Sequence, residues 1–149
     1  MLKVVHVVEA LAGGVNTYFK DLSWFFDNEN AHHDIHTTIV YSSNRKEVDS
    51  DQIKQTFSKT VVLKELSMIR EFSWIADYKA IVQLTKFLIS TQPDVVHLHS
   101  SKAGVLGRIA CLFLSKKVKI FYSPHGYAFL RTDISSFKKK IYKRCYEIF

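Results

Sequence analysis

Short apolar runs recur along the chain, separated by segments whose apolar positions follow helical spacing. Residues 2–8 (LKVVHVV) form a continuous β-branched run, the pattern of a strand buried on both faces in a parallel sheet. Ala12-Gly13-Gly14 breaks it, and from 15 to 26 Val15, Tyr18, Phe19, Leu22, Phe25 and Phe26 recur at helical spacing. Residues 27–34 (DNENAHHD) read as a polar loop, 36–41 (HTTIVY) as a second strand, 51–57 as a short helix and 59–63 (KTVVL) as a third strand. A long amphipathic helix is predicted over 74–90, with Ile75, Tyr78, Ile81, Val82, Leu84 and Leu88 on its apolar side. Pro93 stops it and leads into a fourth strand, 94–99 (DVVHLH). A helix over 102–114, a fifth strand over 118–123 (VKIFYS) and a basic helix over 135–149 complete the series.

Strands alternating with helices predict one α/β domain over 1–149: a three-layer, Rossmann-like parallel sheet of about five strands. Right-handed crossovers would place a ligand crevice at the carboxyl ends of the strands. The last helix carries Ile141, Cys145, Ile148 and Phe149 with no strand after it, so the chain is expected to stop before its domain is complete.

Composition narrows the classes. With 149 residues, 47% apolar and 23% charged, the chain can bury a core and is not of the disordered class. No apolar run approaches the roughly 18 residues of a membrane span, and His6 and Glu9 interrupt the N-terminal run that a secretory signal would need. Cys111 and Cys145 lack metal-type spacing and fit a reducing compartment, so a cytoplasmic location is expected. The net charge of +7 sits entirely in residues 116–149, because 1–115 carry equal numbers of cations and anions. Lys138, Lys139, Lys140, Lys143 and Arg144 fill the side of the last helix away from Phe137, Ile141, Cys145 and Ile148. Such a face suits anionic lipid headgroups, a phosphorylated substrate or plain solvation. Nucleic acid is disfavoured, for no recognition motif accompanies it.

Chemistry is concentrated at three strand ends. Gly13-Gly14, between a strand and a helix, lets backbone amides approach an anion, although it is not a GxGxxG fingerprint. In His97-Leu-His99-Ser100-Ser101-Lys102-Ala-Gly104, the two histidines share a strand face and one serine caps the next helix. Lys102 opposes the helix dipole unless it faces a bound anion. An H-x-H pair can ligate metal, but no acidic or cysteine partner stands at metal-site spacing, so no metal is expected. Gly104 and Gly107 are best explained by close helix–sheet packing. Ser123-Pro-His125-Gly126-Tyr127, with Arg131 beyond, holds a histidine in a fixed loop at the crevice. Neither a G-x-S-x-G elbow nor a P-loop is present.

KVVHVVEALAGGV, QPDVVHLHSSKAGVLGR and FYSPHGYAFLR occur in an order and spacing that resembles bacterial glycosyltransferase family 4, of the GT-B fold. The resemblance implies the N-terminal, acceptor-side domain of a capsular, exopolysaccharide or O-antigen glycosyltransferase. It implies metal-independent, retaining hexosyl transfer from a nucleotide-sugar (UDP- or GDP-linked) to a glycan acceptor that is often lipid-linked, with no cofactor. Gly13 and Gly14 match the glycine loop beside the donor diphosphate, and His125 matches the histidine that bonds a donor sugar hydroxyl. Ser101, Lys102 and Gly104 match a motif at the cleft edge; His99, Gly126 and Arg131 complete the expected substrate-binding set. The donor-binding C-terminal half, with its diphosphate-binding cations, has no counterpart, so inactivity alone and a partner half in cis or trans are expected. Two further expectations follow: peripheral attachment to the cytoplasmic membrane face through the basic helix, and, as the rival reading, a non-catalytic module or split-enzyme subunit that docks through 131–149.

Overall fold

The computed structural model describes residues 1–126 together with 130, 132, 135–137, 139, 140, 143 and 144. The elements run β1 (Leu2–Val8), α1 (Gly13–His33), β2 (Ile35–Tyr41), α2 (Ser50–Thr56), β3 (Val62–Glu65), α3 (Trp74–Thr91), β4 (Val95–His99), α4 (Ser101–Cys111) and β5 (Lys119–Ser123). All five strands are parallel, in the order β3-β2-β1-β4-β5. This is the expected α/β, Rossmann-like sheet.

Because side chains alternate across a strand, β1 and β4 present two different faces. Val5, Val7, Val96 and Leu98 pack with Ala80, Leu84 and Leu88 of α3 and Ala103, Leu106 and Ala110 of α4. On the other side Val8, Ile39 and Tyr41 pack with Phe19 of α1 and Ile53 of α2. The glycines of α4 serve the first face, as expected. A Cβ on Gly107 would lie 2.2 Å from Leu98 Cδ2, and one on Gly104 would lie 2.7 Å from the Tyr122 ring. The helix therefore approaches the sheet more closely than any side chain would permit.

Asp94 ties the amino edge together. Its amide donates to Lys3 O, its carboxylate accepts from Lys3 N at 2.9 Å, and its carbonyl accepts from Lys119 N at 3.0 Å. Three neighbouring strands thus start from one residue.

Four expectations are corrected. Residues 27–34 are not a loop: α1 continues to His33 and ends at Asp34, which takes the left-handed conformation at φ 53° and leads directly into β2. A polar stretch reports exposure, whereas the helix end is set by the residue able to adopt αL. The third strand lies at Val62–Glu65 rather than 59–63, because its register is fixed by pairing Thr38 with Val62. Ile75 and Tyr78 point outward, at 72% and 69% exposure, and the buried side of α3 runs through Asp77, Ala80, Leu84 and Leu88. Finally, α4 ends at Cys111, short of the expected 114.

Within 135–149, Ser136, Phe137, Lys139, Lys140, Lys143 and Arg144 are helical, and Lys139 N donates to Ser135 O at 3.0 Å. Phe137 is exposed. Lys138, Ile141, Cys145, Ile148 and Phe149 lie outside the described residues.

Candidate active site at the carboxyl edge

Parallel strands end together, and the carboxyl ends of β1, β4 and β5 (Val8, His99 and Ser123) form one edge at which α1 and α4 begin. Pairing sets His6 of β1 opposite His97 of β4, and Val8 opposite His99. His6, His97 and His99 therefore share the face covered by α1, where Phe19 meets the His6 ring edge-on at 5.7 Å and the His99 ring at 4.7 Å.

Three of the imidazoles are linked in a row. His6 Nδ1 and His99 Nε2 share a hydrogen bond of 3.1 Å, and His99 Nδ1 and His125 Nε2 share one of 2.8 Å. His97 Nε2 lies 2.9 Å from Ser123 Oγ. His99 is fully buried, and His125 reaches the surface. Burial drives the His6 pKa down to about 3, with His97 adding to it. Burial, followed by His97, His6 and His125, brings His99 to about 2. His97 and His125 are lowered as well, again chiefly by burial. A desolvated imidazole beside others resists a charge, so these linked imidazoles are neutral near pH 7.

His125 stands between Pro124 and Gly126 at φ 53°, a left-handed conformation that costs a non-glycine residue free energy. Its ring stacks on His99 at 5.1 Å and meets Tyr18 edge-on at 5.0 Å. Gly126, at φ 141°, is in a region open to glycine. Ser100, the N-cap of α4, is also left-handed at φ 76°, and its side chain accepts from Ala103 N.

Gly13 and Gly14 open α1 beside this loop. Gly13 has φ 54°, Ala12 before it supplies no side-chain cap, and nothing lies within 4 Å of a Cβ at either glycine. Both glycines are exposed, so the first turn of α1 is open to solvent at the carboxyl edge. Lys102 is turned away from that space. Its ammonium lies 2.6 Å from Asp77 of α3 and donates to Glu71 O at 2.9 Å. Its charge is thus met inside the protein, against a carboxylate that the sequence did not single out. Ser101 is the first residue of α4, and Gly104 faces Tyr122 and β5 rather than the crevice. Arg131 lies outside the described residues.

Four residues of the site have no assigned role in the sequence motifs. His6 interrupts an apolar run, and a histidine inside a doubly buried strand is itself a signal. Tyr18 and Phe19 fall at the helical spacing of a core face, and they wall the imidazoles. Glu9, buried at the end of β1, accepts from Nε and Nη2 of Arg45 at 3.0 and 2.5 Å and fixes the loop after β2.

Nitrogens of His6, His97 and His99 come within 4.8 Å of one another, a spacing at which neutral imidazoles can gather round a transition metal. Each of the three also has a nitrogen engaged with another imidazole or with Ser123, so hydrogen bonds already orient all three rings, while the buried His6 Nε2 meets no hydrogen-bond partner. No helix among the described residues is long and apolar enough to cross a membrane.

Residues 10–148 match the family described as Glycosyl transferase 4-like. An uncharacterized 41.2 kDa protein in the cps region of Klebsiella pneumoniae is 33% identical over 144 residues, covering 95% of this chain and 35% of that protein. A UDP-Gal:alpha-D-GlcNAc-diphosphoundecaprenol alpha-1,3-galactosyltransferase of Escherichia coli is 40% identical over 72 residues, covering 48% of this chain and 18% of that enzyme. Among solved structures, the lipopolysaccharide outer core galactosyltransferase WaaB in its apo form superposes with a TM-score of 0.66 at 17% identity, over 88% of this chain and 35% of WaaB. A putative UDP-N-acetylglucosamine 2-epimerase from Listeria monocytogenes superposes at 0.64 with 14% identity, over 99% of this chain and 37% of that one. At such identities the structural matches show the fold. The chain spans about a third of the length of the first relatives.

Proposed function

Since the chain belongs to the glycosyl transferase 4-like family, we propose that it forms the acceptor-side part of a hexosyltransferase acting on a nucleotide-sugar and a glycan acceptor. The observation that carries this reading is His125. It is a non-glycine residue held left-handed at the carboxyl edge, backed by a buried imidazole and exposed against Tyr18 of α1. A group held in that way is positioned for a ligand, because strain of this kind persists only where surrounding structure imposes it. His125 bonds a donor sugar hydroxyl, and the α1 amides stand toward the diphosphate. The transfer is retaining and needs no metal, and the cations that stabilise the leaving diphosphate come from a donor-binding half.

A UDP-hexose and a polyprenyl-diphosphate-linked sugar are the first pair to try, given the printed activity of the Escherichia coli relative. Lys140, Lys143 and Arg144 are exposed, which supports contact with an anionic leaflet on the cytoplasmic side, where such an acceptor would reside.

The test is to supply a donor-binding half, in cis or in trans, and to follow hexose transfer. Transfer is expected only with both halves, and His125→Ala should lower turnover about 100-fold. Wild-type turnover in that variant would remove His125 from the reaction. Micromolar affinity of the chain alone for a nucleotide-sugar would overturn the division into two halves.

A further inference from the structure

The buried end of the imidazole chain has no part in the reading above, yet it constrains the group that does. His6 is bonded through Nδ1, His99 through both nitrogens and His125 through Nε2. A neutral imidazole carries one N–H and one lone pair, so each ring that donates from one nitrogen must accept at the other. Only two proton patterns satisfy both bonds with neutral rings. In one, His6 Nδ1–H donates to His99 Nε2, and His99 Nδ1–H donates to His125 Nε2. His125 must then carry its own proton on Nδ1. In the other, His125 Nε2–H donates to His99 Nδ1 and His99 Nε2–H donates to His6 Nδ1. His125 Nδ1 is then a bare acceptor.

Every ring has the same tautomer as the others in each pattern, all Nδ1–H or all Nε2–H. Mixed patterns leave two hydrogens or two lone pairs facing each other inside a wall made by Phe19 and Tyr18. We propose that His6 and His99 are positioning residues that lock the tautomer of His125, and so decide whether its second nitrogen, Nδ1, meets a ligand as donor or as acceptor. The bearing on sugar transfer rests on the proposed function, where a donor at Nδ1 suits a hydroxyl oxygen and an acceptor suits a hydroxyl proton. The lock itself is a property of the chain.

Nitrogen NMR of the isotope-labelled chain near neutral pH tests it without any sugar or partner. The expected result is one tautomer, the same for His6, His99 and His125, with nitrogen–nitrogen couplings across both bonds. Rings of opposite hand, or exchange-averaged rings without couplings, would overturn the lock. In His99→Leu the chain is cut at its middle, and His125 should relax to a mixture of tautomers while His97, bonded to Ser123, keeps its own. A single unchanged tautomer at His125 in that variant would reduce His99 to a space-filling role. The wild-type measurement stands even if the variant folds poorly. Because it involves no turnover, its failure is distinct from failure of the transferase reading.

Discussion

The two faces of β1 and β4 are made by neighbouring residues of the same strands, yet they are built by opposite rules. Toward α3 and α4 stand Val5, Val7, Val96 and Leu98, pressed by glycine-bearing α4. Toward α1 stand His6, His97 and His99 beneath one phenylalanine. Burying apolar area stabilises the first face at roughly 25 cal/mol per Å². On the second face, burial is unfavourable to any charged form and is tolerated because the imidazoles bond to one another. One face holds the sheet together, and the other backs His125 at the carboxyl edge.

The largest effect should come from the apolar face. Leu98→Ala should cost about 3 kcal/mol, read by chemical denaturation, because the cavity faces a helix already in close contact. Gly107→Ala alone should cost about 2 kcal/mol through the clash with Leu98. Combined, the two should cost clearly less than their sum, since the new methyl enters the space that the leucine leaves. Simple additivity would mean that α4 does not rest on Leu98.

The imidazole face should be exposed by acid. Unfolded histidines bind protons below the ordinary value of 6.5, whereas His6 and His99 stay neutral until about 3 and 2. The unfolded state therefore binds more protons, and stability, fully present above that value, falls as pH drops through it. Each histidine should contribute a loss of about 1 kcal/mol per pH unit, hence roughly 2 for the pair. A denaturation midpoint that stays level from pH 7 to pH 5 would mean that these rings are hydrated. The smallest effect belongs to the outward side of α3, where Ile75→Gln should change stability by less than about 0.5 kcal/mol. A larger loss would show that this side is covered.

Which parts were legible follows from range. Doubly buried strands announce themselves locally, so LKVVHVV and DVVHLH pointed to β1 and β4, and the glycines of α4 pointed to close packing. The tail of α1 was missed because DNENAHHD is polar, and polarity reports exposure rather than a helix end. Ile75 and Tyr78 were placed inward by spacing alone, while the pairing of Asp77 with Lys102 turns that end of the helix the other way. The imidazole chain depends on the register between β1 and β4, 93 residues apart at its His6–His99 bond. His99 and His125 are visible as polar strand ends and His6 as a histidine inside a buried strand, but which ring His6 bonds follows only from the register that sets it opposite His97.

Gly14 carries a consequence for anyone who wishes to improve this protein. Unlike Gly104 and Gly107, it has empty space where a methyl would go, and it does not need the left-handed backbone that Gly13 adopts. Alanine is the better helix former by up to about 1 kcal/mol, so a campaign for thermal robustness would replace Gly14 early and see only gain. Whatever penalises that replacement must come from outside the folded chain, which makes this position a mutational probe of the space in front of α1.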